Sequence, residues 1–290
     1  MIRILIITVF IIGWIDPMLS QDHAPADTSC SWCKDGKHLN ESPYKIGWKE
    51  ELPFLIVGAG LATTGIILKY TNDTQPFTIA ELETLDRNDV NAFDRGATYN
   101  WDEEAAEVSD YLFFTTLILP AVFLVNHHTR GDIGPLLVMG LEVAAINFGI
   151  TSSVKNLVKR TRPYVYNTDL TDEQRTDAQS RLSFFSGHTS VTSSFSFFFA
   201  KVMSDYHPDM KTGLKIGLWV FAAAIPATTG YLRVRSGKHF RTDVITGYAI
   251  GAFTGWLIPH LHLKKNLKTS LSVYPVRIYG VNGIGLTYKL

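Results

Sequence analysis

SFFSGHTSVTSSFSFFFA, residues 183–200, decides how this chain is read. Ser186-Gly187-His188 interrupts a run of phenylalanines, and a serine-rich apolar stretch follows as far as Ala200. Ser183 and Ser186 are both candidates to cap a helix that starts near Gly187, because a serine oxygen accepts from the free N–H groups of a first turn. A helix start also carries the positive end of the helix dipole and attracts anions. Gly187 lets an anion come close to the backbone. His188 then falls in the first turn, beside that anion, where it can give a proton to a departing oxygen. Taken alone, a histidine at a helix end is ordinary capping or packing.

Outward from this stretch lie six apolar segments, roughly 52–70, 111–126, 133–150, 184–203, 213–230 and 244–262. Several approach the ~20 residues that cross a bilayer. They hold Glu142, Asn147 and several serines, so the pattern fits either a membrane bundle or the core of a soluble helical domain. The glycines Gly58, Gly60, Gly65, Gly247, Gly251 and Gly255 suit close helix contacts. The expected fold is all-α, a bundle of about six core helices embedded in a membrane. Near the C-terminus, Ile284, Leu286 and Tyr288 alternate with small or polar residues after Asn282-Gly283. Asn-Gly suits a two-residue turn, and the alternation predicts a short β-hairpin.

The expected organisation has an export signal or anchor over residues 1–20, a polar segment over 21–50, a helical domain over 51–262 and a tail over 263–290. Arg3 followed by the apolar run Ile4 to Trp14 carries the first of these expectations. Cys30 and Cys33, with His23 and His38 nearby, have zinc-like spacing but no second ligand pair, so no metal is assigned.

The 27 basic and 27 acidic side chains give no net charge, and no nucleic-acid partner is suggested. The charges are nevertheless sorted along the chain. Residues 71–110 hold eleven acids against Arg87 and Arg95, whereas Lys155, Lys159, Arg160 and Arg162 cluster without an acid. The acidic segment reads as a solvated loop or as a lid over a site.

Two further stretches carry chemistry. In KNLVKRTRPY (155–164), Lys155 and Arg162 are seven apart, so both can face one side of a helix that Pro163 ends. Arg offers a planar fork and Lys a point charge to an anion with several oxygens. In YLRVRSGKHFRTDVITG (231–247), His239 and Asp243 are four apart and share a face if helical. The carboxylate can then accept the imidazole N–H and fix its tautomer. Arg233 is placed to bind the same anion.

Lys155-x6-Arg162-Pro163, then Ser186-Gly187-His188, then Arg233-x5-His239-x3-Asp243 resembles the type 2 phosphatidic acid phosphatase family, which is related to vanadium haloperoxidases and bacterial class A acid phosphatases. The resemblance covers roughly residues 110–260. Phe185 stands where the family usually has proline, and Leu232 where serine usually precedes the arginine. The resemblance implies a phosphatase without metal or other cofactor. It implies His239 as nucleophile forming a phosphohistidine, Asp243 orienting it and His188 protonating the leaving oxygen. Lys155, Arg162, Arg233, Ser186 and the Gly187 N–H would bind the phosphoryl oxygens.

The implied partners are a membrane and a lipid phosphate or diphosphate. The alternatives are a lipid phosphotransferase, a soluble-type acid phosphatase, a vanadate-dependent haloperoxidase and a non-enzymatic envelope protein. The expected location is the cell envelope, multi-pass, with the site on the non-cytoplasmic side; the alternative is an exported, periplasmic and membrane-peripheral protein. Basic residues in 127–132, 204–215 and the Lys264, Lys265, Lys268 tail fit loops that face inside.

Overall fold

The computed structural model describes residues 42–72, 74–177, 179–264, 271–278 and 281–288. The expected export signal over 1–20, with Cys30 and Cys33, lies outside the described residues. Six long helices form the body: α1 (Trp48–Thr71), α2 (Glu103–Ile118), α3 (Ile133–Val158), α4 (Gly187–Tyr206), α5 (Thr212–Arg235) and α6 (Arg241–His262). They overlap the six apolar segments of the sequence, although α2 starts at Glu103 and segment 111–126 continues past its end as two short turns, Leu119–Ala121 and Val122–Val125. β1 (Leu271–Ile278) pairs antiparallel with β2 (Val281–Tyr288). Asn282 and Gly283 lie inside β2, opposite Arg277 and Val276, so they do not form the turn expected of them.

The helices alternate in direction. A Cβ on Gly58 would sit 3.4 Å from Ala145, and one on Gly65 2.8 Å from Ser152, so α1 and α3 run parallel. Gly247, Gly251 and Gly255 of α6 lie against the carbonyls of Ser186, Ser190 and Ser194, so α6 runs parallel to α4. Ser196 bonds Ala222 O while Gly230 faces Thr189, so α5 opposes α4. The end of α3, the start of α4, the end of α5 and the start of α6 therefore meet at one end of the bundle.

Helix α4 is the axis of this arrangement. From Thr189 to Ser204 nearly every side chain is buried, including Ser190, Thr192, Ser193, Ser194 and Ser196. Small side chains let neighbours approach closely, as in membrane helix packing. Their hydroxyls are satisfied within the bundle: Ser193 Oγ donates to Tyr248 O at 2.9 Å, and Asn147 Nδ2 donates to Ser190 Oγ at 2.8 Å. Below this polar layer, Phe123, Met139, Val143, Phe198, Met203, Leu218 and Ile258 make the apolar core.

The surrounding helices turn apolar residues outward. Ile56, Ile67, Phe114, Leu141, Phe148, Val220 and Phe253 are all exposed. Spans containing α1, α2, α3, α5 and α6 are each long and apolar enough to cross a membrane. An apolar exterior around a polar-lined axis is stable in lipid and unstable in water. The chain is a membrane protein.

The acidic segment is not simply a solvated loop. Glu81 pairs with Arg181 at 2.7 Å and Asp102 with Arg235 at 2.6 Å. Asp94, fully buried, accepts from Arg160 at 2.8 Å. Short helical turns over 79–99 thus fold back onto the basic end of the bundle.

Gly251 tests the axis. A Cβ there would lie 2.1 Å from Ser190 O and 2.8 Å from Ser193 Cβ, whereas one on Gly60 meets nothing within 4 Å. Gly251→Ala is expected to destabilise by about 1–3 kcal/mol or more, and Gly60→Ala to be neutral or mildly stabilising. Thermal unfolding of both variants in detergent checks this.

Candidate active site

Each predicted residue reaches the same end of the bundle, by routes the spacing only partly foretold. Ser186 is the N-cap of α4: its Oγ accepts from Thr189 N at 3.4 Å and meets Thr189 Oγ1 at 2.9 Å. Ser183, the other candidate cap, does a different job. Its hydroxyl donates to Asp243 Oδ2 at 2.5 Å. Gly187 opens α4 beside Lys155, whose Cε would lie 3.8 Å from a Cβ at that position. His188 follows in the first turn, as expected.

Lys155 and Arg162 do not share a helix face. α3 ends at Val158, where Lys159 adopts the left-handed conformation (φ 47°). Arg162 is extended beyond it, and Pro163 opens a short 3-10 turn, Pro163–Tyr166, rather than closing α3. Proline pre-sets the φ of a first helical position. The reversed chain carries Arg162 back to the site, buried, its Nε donating to Gln179 O at 2.8 Å. Lys155 Nζ donates to Leu182 O at 2.6 Å, just before the α4 cap.

His239 and Asp243 are four apart, but only Asp243 is on the helix. α6 begins at Arg241, and Asp243 accepts from Phe240 N at 2.9 Å, a first-turn cap. His239 precedes the helix in a turn made possible by Gly237 at φ 70°, where a Cβ would strike Asn100 O at 2.2 Å. Its Nδ1 lies 3.6 Å from Asp243 Oδ2, beyond hydrogen-bond range, and has no partner among the described residues. Both residues are buried.

Five residues of this network carried no signal in the motif. Arg160 bridges two buried carboxylates, donating to Asp243 Oδ1 at 2.5 Å and to Asp94 Oδ2 at 2.8 Å. Thr242 donates to Asp94 Oδ2 at 2.6 Å. Asp110 lies 3.0 Å from both Arg233 Nη1 and His188 Nε2. Lys238 sits over Trp101 and Tyr164, 4.8 and 5.0 Å from the ring centroids. The opposite charges of 71–110 and 155–163 were the available sequence signal for Asp94 and Arg160.

Electrostatically the site is a cationic cluster. Burial, then Arg162, Lys155 and Arg233, push the His239 imidazole well below its usual range. Burial, then Arg233, Arg162 and Lys155, push His188 down to about 3. Burial, then Arg162 and Arg233, lower Lys238. Both imidazoles are therefore neutral near pH 7. The convergent cations and the α4 N-terminus favour a tetrahedral anion.

Residues 135–267, somewhat under half of the chain, match the PAP2 superfamily. Its class is that of the type 2 phosphatidic acid phosphatase-like hydrolases. Among solved structures the chain is similar to the first transmembrane PAP2-type phosphatidylglycerolphosphate phosphatase from Bacillus subtilis. The two share 22% identity over 72% of this chain and 92% of that chain, with a TM-score of 0.39. No curated protein matches it.

A bound dianion opposes the three cations that depress His188, so binding should raise its pKa and draw in a proton. Sulfate, which does not titrate near neutrality, is the suitable probe. Calorimetry at pH 6 in buffers of different ionisation enthalpy is expected to report net proton uptake. The uptake should shrink as pH rises and disappear in His188→Gln.

Proposed function

We propose that the chain is a phosphatase acting on a lipid phosphomonoester or diphosphate through a phosphohistidine, with its charge stabilisation supplied by side chains rather than a metal. One observation carries the reading: Lys155, Arg162 and Arg233 surround two histidines at the capped start of α4. Phosphoryl transfer needs positive charge around the equatorial oxygens and an in-line nucleophile and leaving group. In this reading, Lys155, Arg162, Arg233, Ser186 and the Gly187 N–H hold the oxygens. With Nδ1 turned to Asp243, His239 attacks phosphorus through Nε2. The P–O bond to the lipid breaks as His188, which takes up a proton when the phosphate dianion binds, gives that proton to the leaving oxygen. Water then attacks the phosphohistidine, His188 takes the water proton, and the P–N bond breaks to release phosphate. Asp243 orients His239 and offsets the charge it gains; their 3.6 Å contact shortens as that charge develops.

The membrane setting favours a lipid substrate, because the site lies at one end of an apolar-surfaced bundle, within reach of a headgroup. A vanadate-dependent haloperoxidase has no observation in its favour here. Opposite the site, α1 begins and α6 ends on the same side, since Lys45 N donates to His262 O at 2.8 Å. His127, His128, Arg130 and Lys211 lie in connections at that opposite end and Lys215 in the first turn of α5, which supports a cytoplasmic placement there and a site on the outer side. α1 runs alongside α3 and is itself long and apolar enough to cross, which supports a span over 52–70.

Orthovanadate, whose five-coordinate form resembles the phosphoryl group in transfer, is expected to inhibit competitively. Unchanged turnover at millimolar vanadate would count against a histidine nucleophile.

The two histidines should fail differently. His239→Ala should abolish hydrolysis on every substrate. His188→Ala should lose ~10²–10⁴-fold on a lipid phosphate, whose alkoxide needs a proton, and much less on para-nitrophenyl phosphate. Equal losses on both substrates would remove the leaving-group role from His188.

A further inference from the structure

A second polar cluster lies at the end of the bundle opposite the two histidines, and the phosphatase reading does not use it. Glu51 near the start of α1, Glu142 inside α3 and His262 at the last residue of α6 are 7%, 3% and 3% exposed. One ligand atom from each lies within 4.8 Å of the others. His262 Nε2 is 3.2 Å from Glu51 Oε1 and 3.4 Å from Glu142 Oε2. Neither carboxylate, nor Nε2, has a hydrogen-bond partner among the described residues.

The tautomer is set from the other side of the ring. His262 Nδ1 lies 2.8 Å from Ile258 O, a backbone acceptor, so Nδ1 carries a proton. That leaves the Nε2 lone pair aimed at two carboxylates. Three acceptors facing one another in a buried space repel unless something positive sits between them. We propose that this is a structural site for a divalent metal ion, zinc before manganese, held by Glu51, Glu142 and His262.

The chemistry of the donor set fits. Two carboxylates and a divalent ion sum to zero, which suits a site walled by apolar helices. Zinc takes carboxylate oxygen and imidazole nitrogen at about 2.0–2.2 Å, and a tetrahedron of such bonds has edges of about 3.4 Å. The two measured separations from Nε2, 3.2 and 3.4 Å, match that edge. The Nδ1–H bond to a backbone carbonyl is the supporting contact that metal-bound histidines usually make. The Phe54 ring lies 4.6 Å from the imidazole and shields it. The three ligands come from three helices, so the ion would fasten α1 to α3 and α6, where residues 43–45 already pair with 262–264.

The alternative is a cluster neutralised by shared protons, and experiment separates the two. The full-length protein, purified in detergent without added chelator, is assayed for metals by plasma mass spectrometry. About one zinc or manganese per chain is expected, and Glu142→Gln and Glu51→Gln should lack it. EDTA should lower the melting temperature of the wild type by several degrees, zinc should restore it, and Glu142→Gln should not respond to either. The wild-type arm needs no variant to fold. Phosphate release by the stripped, still-folded protein should continue, so failure of the metal site and failure of the phosphatase reading give different results. Wild-type protein that holds no metal, gains no stability from zinc or manganese and is insensitive to EDTA overturns the proposal. A Glu142→Gln variant as stable as wild type would fit shared protons instead.

Discussion

The buried carboxylate of Asp243 is the joint on which the site end of the bundle depends. It takes Ser183 from the approach to α4, Arg160 from just beyond α3 and the Phe240 N–H from the start of α6. Three segments far apart in sequence are thereby fixed to one pair of oxygens. Removing one partner of a buried, bonded charge typically costs about 3–5 kcal/mol, because the other is left uncompensated. Arg160 is shared with Asp94, so the acidic segment is bound into the same network. The orientation of His239, Ser186 and Arg162 rests on this arrangement, although none of the three bonds the Asp243 side chain.

Charge segregation along the chain becomes charge pairing in space. The acids at 81, 94, 102 and 110 each meet a base from another segment: Arg181, Arg160, Arg235 and Arg233 respectively. Asp110 has a second contact, to His188. These pairs leave Lys155 and Arg162 without a carboxylate in salt-bridge range among the described residues; both donate to backbone carbonyls instead. Uncompensated cations at a helix N-terminus have high affinity for an anion. The acidic segment thus neutralises the rim of the site and leaves its centre positive.

The apolar exterior and the polar axis are two sides of one solution. Serines and glycines let α4 and α6 touch along their backbones, which brings His188 and His239 together. Larger residues are displaced outward, where lipid accepts them. The site and the Glu51–Glu142–His262 cluster sit at opposite ends of the helices, each closed by a backbone pairing or capping motif. Polar groups are tolerated at such positions only where they find partners or bind a ligand.

The residues themselves determined the helical class, because apolar runs of near-spanning length admit few other structures. They also marked the motif residues as candidates, because Lys, Arg, His and Asp at those spacings have few joint uses. The cap at Ser186 was legible, since a small hydroxyl before a glycine has one local use. Other features were not. A seven-residue spacing suggested that Lys155 and Arg162 share a helix, but the left-handed turn at Lys159 breaks it, and Arg162 returns by the Pro163 turn. That outcome depends on what the reversed chain can bond, Gln179 and Lys238 carbonyls, and no local rule encodes it. Likewise Arg160, Asp94 and Asp110 were legible only as members of oppositely charged segments, and Ser183 only as a candidate cap. Their roles arise only when helices α3 to α6 pack, because a hydrogen bond between residues 60 or more apart is decided by the tertiary fold and not by the neighbours in sequence.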